Sequence, residues 1–223
     1  MPTTRVRSLG RATAALAVLV LPLAGCTSEA EPEDEAAPVV QLGAPGESNT
    51  TLSPEEAESV DDPAYTAADV AFVQGMIPHH QQALEMTALV GDRADDPDLT
   101  AMAERIEVSQ LAEIDQLEGW LTTRGESITG MHAGHGDGEH GMPGMLTPRE
   151  MDRLERASGP RFDRLFLAGM IRHHEGAVLM VESLLTEGEG GQESEVFQLA
   201  GHIGSDQQVE IAAMKRKLAE LAG

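Results

Sequence analysis

A fifteen-residue pattern occurs twice in this chain, at residues 72–86 and again at residues 166–180. Both copies contain Phe, Gly-Met-Ile, His-His, Ala and Met in the same order, and Asp69 and Asp163 precede them at the same distance. A histidine pair flanked by methionines, present twice in one chain, is hard to explain by packing alone. The duplication predicts a fold with two similar halves and a metal site built from both.

The spacing of apolar residues predicts that each copy lies on a helix. In the first copy, Phe72, Met76, His79, Ala83 and Met86 recur at steps of four and three, which places them on one helical face. The neighbouring face is apolar as well and contains the second histidine of the pair. Both histidines therefore lie within a broad surface that we expect to point inward.

A second pattern follows each copy, Ile-x-x-x-Gln-x-x-Glu-Ile at 106–114 and at 203–211. Its spacing is also helical, so the duplicated unit is a helix pair. We predict an all-α four-helix bundle made of two duplicated α-hairpins, with halves at 62–125 and 159–223 joined by a His/Met/Gly-rich linker at 126–158. The aromatic content of 3% supports helices over a β-sandwich. The relative direction of the first and third helices stays open at this point.

The first 25 residues predict an export leader. Arg5, Arg7 and Arg11 precede an apolar run at 12–23 that is too short to cross a membrane comfortably. The run ends in Leu-Ala-Gly-Cys26, which resembles the lipobox of bacterial lipoproteins, where the cysteine is lipidated and becomes the mature N-terminus. An ordinary signal peptide with a chance cysteine is the alternative. We expect residues 1–25 to be a lipoprotein signal peptide and Cys26 to anchor the protein outside the cytoplasmic membrane.

The next segment, residues 26–61, is rich in Glu, Asp, Pro, Ser and Thr and contains no Lys or Arg. A segment of this composition buries too little apolar surface to order itself. We therefore predict an acidic disordered tether, with one short helix at its end that begins at Ser53-Pro54.

The residue types in the repeated motif favour a soft metal. Met76 lies within one turn of both His79 and His80, so either histidine can share an ion with it. Met86 lies about 15 Å from Met76 along the same helix and serves a second layer or simple packing. Thioether with imidazole suits Cu(I) more than Mg²⁺, Ca²⁺ or Mn²⁺, with Zn²⁺ and Ni²⁺ as alternatives that accept imidazole.

Other polar residues extend this prediction. Side chains that could orient the histidine rings as hydrogen-bond acceptors occur in both halves: Asp69, Asp163, Gln110, Gln207, Glu113 and Glu210. The linker holds further soft ligands for accessory metal capture: Met131, His132, His135, His140, Met142 and Met145. The alternatives are that the methionines fill the core, that the histidines are buried polar structure, and that the linker is merely flexible.

Charge and motif content exclude several functions. A formal charge of -23 argues against nucleic-acid binding, which needs Lys and Arg at phosphates, whereas an acidic surface attracts cations. Di-iron bundles need Glu-x-x-His motifs, but only Glu113 and Glu210 are duplicated here. No nucleophile triad and no phosphate-binding glycine motif is evident. We expect no enzymatic activity, with redox turnover by a bound metal as the open exception.

The doubled Asp-x-x-Phe-x-x-x-Met-Ile-x-His-His-x-x-Ala-x-x-Met motif, followed by Ile-x-x-x-Gln-x-x-Glu-Ile, resembles the family catalogued as domain of unknown function 305, over residues 62–221. The resemblance implies a ferritin-like bundle that is exported and has a periplasmic copper-binding role in copper resistance. It also implies a ligand set that combines both copies: Met76, His79, His80, Met86, Met170, His173, His174 and Met180. The second copy departs from the motif by having Arg172 in place of proline.

From these observations we expect a lipid-anchored extracytoplasmic protein that binds copper, as Cu(I), for sequestration, resistance or delivery. Its expected partners are metal ions, the membrane through the lipid anchor only, and either a second copy or a copper-exchange protein. The rival interpretation is an envelope interaction or signalling module whose histidine pairs are structural.

Overall fold

The structure is a computed structural model that describes residues 39–41, 48–58, 62–129, 142–186 and 190–223. The predicted leader and Cys26 lie outside the described residues. So do Met131, His132, His135 and His140 of the linker. Those predictions stay predictions.

The described residues before Val60 form a small unit of their own. Strands β1 (Val39–Gln41) and β2 (Thr50–Leu52) pair antiparallel, with Val39 opposite Leu52. Helix α1 (Pro54–Glu58) follows, and the Ser53 hydroxyl accepts a hydrogen bond from the Glu56 amide. The sequence predicted this helix start, but the tether prediction did not include the hairpin. Its strands form where β-branched pairs occur, at 39–40 and at 50–51.

Residues from Asp61 onward form an all-α unit. Four long helices make two antiparallel pairs, and two short helices lie in the connections. The helices are α2 (Ala67–Thr87), α3 (Val90–Arg93), α4 (Pro97–Thr123), α5 (Pro148–Glu155), α6 (Gly159–Thr186) and α7 (Ser194–Glu220). Helix α2 packs on α4, α6 packs on α7, and α2 contacts α6 across the centre. The predicted four-helix bundle of two α-hairpins is confirmed.

The helix ends follow the capping residues that the sequence supplies. Thr66 caps α2 in a capping box with Asp69, and Thr147 caps α5 in the same way. Asp96 caps α4, whose first residue is Pro97. Gly125, with φ of 72°, ends α4 in the left-handed conformation that suits glycine. None of the helices in the described ranges is long and apolar enough to cross a membrane.

The two hairpins are tied together by their aspartates, and these ties show that α2 and α6 are antiparallel. Asp69, at the start of α2, accepts a hydrogen bond of 2.6 Å from the Gly191 amide, which follows the end of α6. Asp163, at the start of α6, accepts bonds of 3.1 Å from the Asp95 and Asp96 amides, which follow α3. Each helix therefore begins where the other ends, and the linker must cross along the bundle.

The core of the bundle divides into two apolar clusters. One contains Met86, Met170, Phe162 and Phe166, and the other contains Met76, Leu117 and Trp120. Both sit between the long helices, one on each side of the bundle centre. The residues between them are polar, and they form the candidate site.

Candidate metal centre

Four histidines meet at the centre of the bundle, two from α2 and two from α6. His79, His80, His173 and His174 are each no more than 1% exposed. The rings of His79 and His173 lie against each other with their planes tilted by 38° and their centroids 3.9 Å apart. The neighbouring rings within each pair lie 6.4 Å and 6.1 Å apart. The antiparallel crossing therefore joins the two sequence-predicted histidine pairs into one cluster.

Residues of α4 and α7 complete this polar layer. Gln110 and Gln207 are each 1% exposed, and Glu113 is 5% exposed. His174 Nε2 and Glu210 Oε2 form a hydrogen bond of 2.6 Å. His80 Nε2 and Glu113 Oε2 also lie 2.6 Å apart. Glu113 and Glu210 therefore lie beside histidine rings as the sequence predicted, whereas Gln110 and Gln207 are buried in the layer without a hydrogen bond to a ring.

Burial determines which side chains of this polar layer carry a proton. Desolvation lowers the pKa of His79 to about 4 and that of His80 to about 3, and it places the pKa of His173 well below the usual value. Desolvation also raises the pKa of Glu113 to about 8, with the Glu210 and Asp206 carboxylates adding to the shift. At neutral pH, His80 and Glu113 are therefore both neutral, and their short approach is not an ion pair.

Several buried polar atoms in this layer lack a hydrogen-bond partner. They include both ring nitrogens of His173, both of His80, Nδ1 of His79 and Nδ1 of His174. A buried polar atom left unpaired costs on the order of 1–3 kcal/mol. Neutral imidazoles with free nitrogen lone pairs are also the form in which histidine binds metal. The donor chemistry of the layer therefore fits a metal ion.

The nitrogen and oxygen donors alone do not form a finished coordination site. Among the described residues, no three His, Cys, Asp or Glu side chains are arranged to hold a metal ion. Met76 and Met170 each lie three residues before a histidine on the same helix, so their thioethers are candidates for further donors. Metal binding here requires rotation of the imidazole rings, sulfur ligands, or both.

The methionines flank the histidine layer at both ends. Met76 and Met170 are fully buried. The methyl group of Met86 packs against Gly169, next to Met170, and the methyl group of Met180 packs against Gly75, next to Met76. Within one helix, Met86 lies too far from Met76 to share an ion. The antiparallel crossing instead places it beside the methionine of the other copy.

A short segment of the linker, residues 142–147, lies across the two histidine helices, and we refer to it as the strap. His79 Nε2 donates a hydrogen bond of 2.9 Å to the Pro143 carbonyl. The Gln82 amide binds the backbone of Leu146 twice, accepting from its N–H at 2.7 Å and donating to its carbonyl at 2.9 Å. Because His79 Nε2 carries the proton, its Nδ1 lone pair is the one left free.

The strap reaches the helices by close backbone approach. Gly144 has φ of 77°, and a Cβ there would collide with the Arg172 carbonyl. A Cβ on Gly176 would collide with the Pro143 carbonyl. The Arg172 guanidinium pairs with Glu150, at the start of α5, at 2.7 Å. The strap is therefore fixed on both sides and covers His79.

The structure places two of the predicted ring partners elsewhere. Both oxygens of Asp69 accept hydrogen bonds from Thr66 and Gly191, and both oxygens of Asp163 bind the amides of Asp95 and Asp96. Ten residues separate each aspartate from its first histidine, about 15 Å of helix. The prediction that they orient the histidine rings is wrong, because they fasten the helix ends.

Two predicted linker ligands lie within the described residues. The Met142 sulfur packs against Gly75, on the same side as the Met180 methyl group, and both methionines are half-buried. Met145 is half-buried too, and its amide binds the Met142 carbonyl at 3.3 Å. Met142 thus lies where the linker meets the methionines of the bundle.

The sequence did not identify Gln82, Pro143 or Gly176 as part of the site. A signal was available, since the two copies of the motif differ at these places: Gly176 stands where the first copy has Gln82, and Arg172 where it has Pro78. The Pro143 contact uses a backbone carbonyl, which a side-chain pattern cannot report.

Comparison with known structures finds the same fold in several proteins. A DUF305 protein from Streptomyces coelicolor, described as secreted, is 31% identical, with a TM-score of 0.62 over 70% of this chain and 94% of its own. A DUF305 fragment from Deinococcus radiodurans is 32% identical, with a TM-score of 0.62 over 71% and 99%. CopM in its Cu(I)-bound form is 28% identical, with a TM-score of 0.55 over 72% and 100%. CopM has also been solved with Cu(II) and with silver.

Sequence comparison adds a relative and a family. The uncharacterized protein L153 of Acanthamoeba polyphaga mimivirus is 36% identical over 56 residues, which is 25% of this chain. The match spans 37% of the viral protein, so it carries no functional argument. The model of the domain of unknown function DUF305 matches residues 69–218, which include both histidine motifs and all four long helices in whole or in large part. The chain belongs to the DUF305 family.

Proposed function

We propose that this protein is an extracytoplasmic copper-binding lipoprotein that sequesters or delivers Cu(I). The observation that carries the proposal is the layer of four buried histidines, which both halves supply and whose nitrogens largely lack partners. A purely structural polar layer would be expected to satisfy its own hydrogen bonds.

The ligand chemistry favours Cu(I) over harder ions. The neutral imidazoles stand between Met76 and Met180 at one end and Met86 and Met170 at the other. Thioethers bind soft metals and add little for Mg²⁺, Ca²⁺ or Mn²⁺. Zn²⁺ and Ni²⁺ accept imidazole but gain little from the sulfurs, so we expect them to bind more weakly.

Relatives support the choice of metal. CopM, which shares the fold at 28–31% identity, has been solved with Cu(I), Cu(II) and silver bound. Silver and Cu(I) are both soft monovalent ions that thioethers prefer. The shared histidine motif lies within the matched region of the family.

The strap suggests how an ion enters. Met142 and Met180 are half-buried and lie together at Gly75, and Met142 follows the histidine-rich segment in the sequence. We infer that Cu(I) passes from the linker to these thioethers and then to the histidines. A copper-exchange protein would meet the protein on this side.

The predicted leader and Cys26 support a location outside the cytoplasmic membrane with a lipid anchor. The Streptomyces relative is described as secreted. We propose that the protein binds copper and does not catalyse a reaction, because no nucleophile motif includes a side chain of the buried layer. Detectable turnover of a reduced metal or a phenol by the copper-loaded protein would contradict this part.

Anaerobic titration with Cu(I) against a competing chelator tests the proposal. The variants are His79→Ala/His80→Ala and His173→Ala/His174→Ala, with exposed His202→Ala as the matched control. We expect each double variant to bind at least about 100-fold more weakly, because each removes half of the imidazoles, and the control to bind normally. Equal binding by all three variants and the unaltered protein would exclude the histidine layer as the site.

Thermal melting separates this proposal from the rival interaction module. A ligand that binds only the folded state raises the melting temperature. We expect Cu(I) to raise it in the unaltered protein and in His202→Ala, and to leave it unchanged in both double variants. An interaction module with structural histidines would melt at the same temperature with and without copper.

A further inference from the structure

Four arginines gather around one surface depression at the junction of α5 and α6. The depression has a volume of about 380 Å³ and is lined by Arg149, Asp152, Arg153, Arg156 and Arg161. Residues 149, 153 and 156 follow one another on α5 at steps of four and three, so they share a helical face. Arg161 joins them from the first turn of α6. We call this surface the arginine depression.

The arginine depression carries an uncompensated positive charge. Asp152 is its one acidic residue, and it pairs with Arg156 at 3.3 Å, where the side chains are 61% and 80% exposed. An exposed pair of this kind contributes little. Within the described residues, Arg149, Arg153 and Arg161 form no ion pair, and neighbouring Glu150 is engaged by Arg172. Four guanidinium groups thus share one carboxylate.

Elsewhere in the described residues, some cations have acidic partners, whereas others, such as Arg105 and Arg216, form no ion pair. Lys217 pairs with Asp96 and Asp98 at 2.8 Å and 2.7 Å, and Arg124 pairs with Glu193 and Glu195 at 2.9 Å and 2.8 Å. The whole chain has 38 acidic residues and 15 basic ones, so carboxylates are plentiful. Clustered like charges repel one another unless an anion compensates them. The arginine depression is distinguished by four cations that line one surface with a single carboxylate among them.

The chemistry of the cluster indicates the anion. Guanidinium groups present a planar fork of donors that matches the oxygens of phosphate bidentately. A large acidic protein would be repelled by the rest of a surface whose formal charge is -23, whereas a compact phosphate group contacts only the arginines. We propose that the arginine depression binds phosphate groups, either as free phosphate or phosphate ester or as the headgroup of an anionic lipid.

Charge-neutral variants of the full chain test this proposal. Arg149→Gln/Arg153→Gln removes two charges from the arginine depression, and Arg105→Gln/Arg216→Gln removes two from exposed positions on α4 and α7. The probes are inorganic phosphate and glycerol phosphate by calorimetry, and vesicles of phosphatidylglycerol or phosphatidylcholine by flotation. Because a leader or lipid anchor binds both vesicle types, the readout is the difference between them.

We expect at least one phosphate probe to bind the unaltered protein and the control variant, and to bind the arginine-depression variant about tenfold or more weakly. Binding of the soluble probes alone identifies a free phosphate or phosphate ester, and a preference for phosphatidylglycerol alone identifies a lipid headgroup; both support the proposal. Equal losses in the two variants, no binding of any probe, or equally tight binding of poly-glutamate would overturn it. Circular dichroism confirms that both variants fold.

Discussion

The two copies of the histidine motif share their histidines and methionines but differ where the strap crosses them. The first copy has Gln82, which binds the Leu146 backbone twice, whereas the second copy has Gly176, against which the Pro143 backbone packs. Pro78 in the first copy corresponds to Arg172 in the second, which pairs with Glu150 beyond the strap. The duplication supplies a symmetric cluster of ligands, and these substitutions allow one asymmetric segment to cover it.

This asymmetry gives the two histidine pairs different surroundings. His79 donates to the Pro143 carbonyl, while both ring nitrogens of His173 have no partner. The methionine ends differ as well, since the strap places Met142 against Gly75 and Leu146 against the equivalent Gly169. One end is half-buried and rich in thioethers, and the other is closed by Leu146. Substitutions at the positions where the two copies differ should show how much each copy contributes to stability and to copper uptake.

The largest stability effect is expected at the glycine that admits the strap. Gly176→Ala places a Cβ against the Pro143 backbone, so we expect a loss of about 3 kcal/mol in the free energy of unfolding. Gly201→Ala is the control, because that helical glycine has open space around it and alanine there stabilises by up to about 1 kcal/mol. Urea denaturation measures both. Equal effects of the two substitutions would show that the strap does not dock on α6.

A smaller effect, which depends on pH, is expected at Glu113. Its pKa is raised to about 8 in the folded protein from 4.5, so its contribution to stability is fully present below about pH 4.5 and is lost as the pH rises through 8. Glu113→Gln replaces the carboxyl with an amide that does not ionise, so the variant does not lose this stability as the pH rises. We expect the metal-free variant to match the unaltered protein near pH 4.5 and to exceed it by about 2 kcal/mol at pH 9. Exposed Glu107→Gln, on the same helix, should show no such gain; a flat difference across pH would contradict the burial of Glu113.

At acidic pH the buried histidines have the opposite effect from Glu113, because they make the protein less stable as the pH falls. The pKa values of His79 and His80 are lowered from 6.5 to about 4 and about 3, so their contribution is present above about pH 6.5 and is lost as the pH falls through those values. The two effects overlap between pH 4.5 and 6.5, where two histidines outweigh one carboxyl, so the metal-free protein should be most stable near pH 6.5, where the opposing slopes cancel. The unfolding free energy measured at half-unit steps of pH checks this maximum.

Opposite effects of about 1 kcal/mol each are expected at the covered histidine, His79, and at the uncovered one, His173. His173→Leu replaces an imidazole with no partners by an apolar side chain, so the metal-free protein should gain about 1 kcal/mol. His79→Leu leaves the Pro143 carbonyl without its donor and should lose about 1 kcal/mol. Chemical denaturation in the presence of a chelator compares them. Similar values for both variants would remove the distinction between the two histidines.

The smallest structural effect is expected at Met142. Met142→Leu conserves volume at a half-buried site and should change stability by less than about 1 kcal/mol. If Cu(I) enters through Met142 and Met180, the same change slows Cu(I) uptake several-fold in stopped-flow measurements. Met145→Leu is the matched control on the strap. Equal uptake rates in the two variants would place the entry route elsewhere.

The sequence predicted much of the fold because its signals are local. Capping residues such as Thr66 and Asp96 act on their own helix, and the spacing of each motif determines which residues share a face. The meeting of the histidine pairs with Glu113 and Glu210 followed from the duplication in the same way, whereas the predicted contacts of Gln110 and Gln207 with the rings are not made. Each of these predictions needs only one helix or its repeat.

What the sequence could not supply depends on contacts between distant segments. The motif spacing is equally compatible with parallel and antiparallel α2 and α6, and only the contacts of Asp69 and Asp163 with the opposite loops distinguish them. An aspartate in the first turn of a helix looks the same in the sequence whether it caps the helix end or orients a histidine ring. The sequence therefore could not show that Asp69 and Asp163 fasten the helix ends. The backbone carbonyl of Pro143 leaves no side-chain signature at all.

In the proposed function, both copies of the motif share one copper site. Nitrogen-15 NMR of the histidine imidazoles, recorded anaerobically during titration with Cu(I), tests this most directly. We predict that resonances from both pairs, including those of His79 and His173, move together and complete their change at one equivalent, while those of exposed His202 stay in place. A response confined to one pair, or separate responses that need two equivalents, would contradict a single shared site.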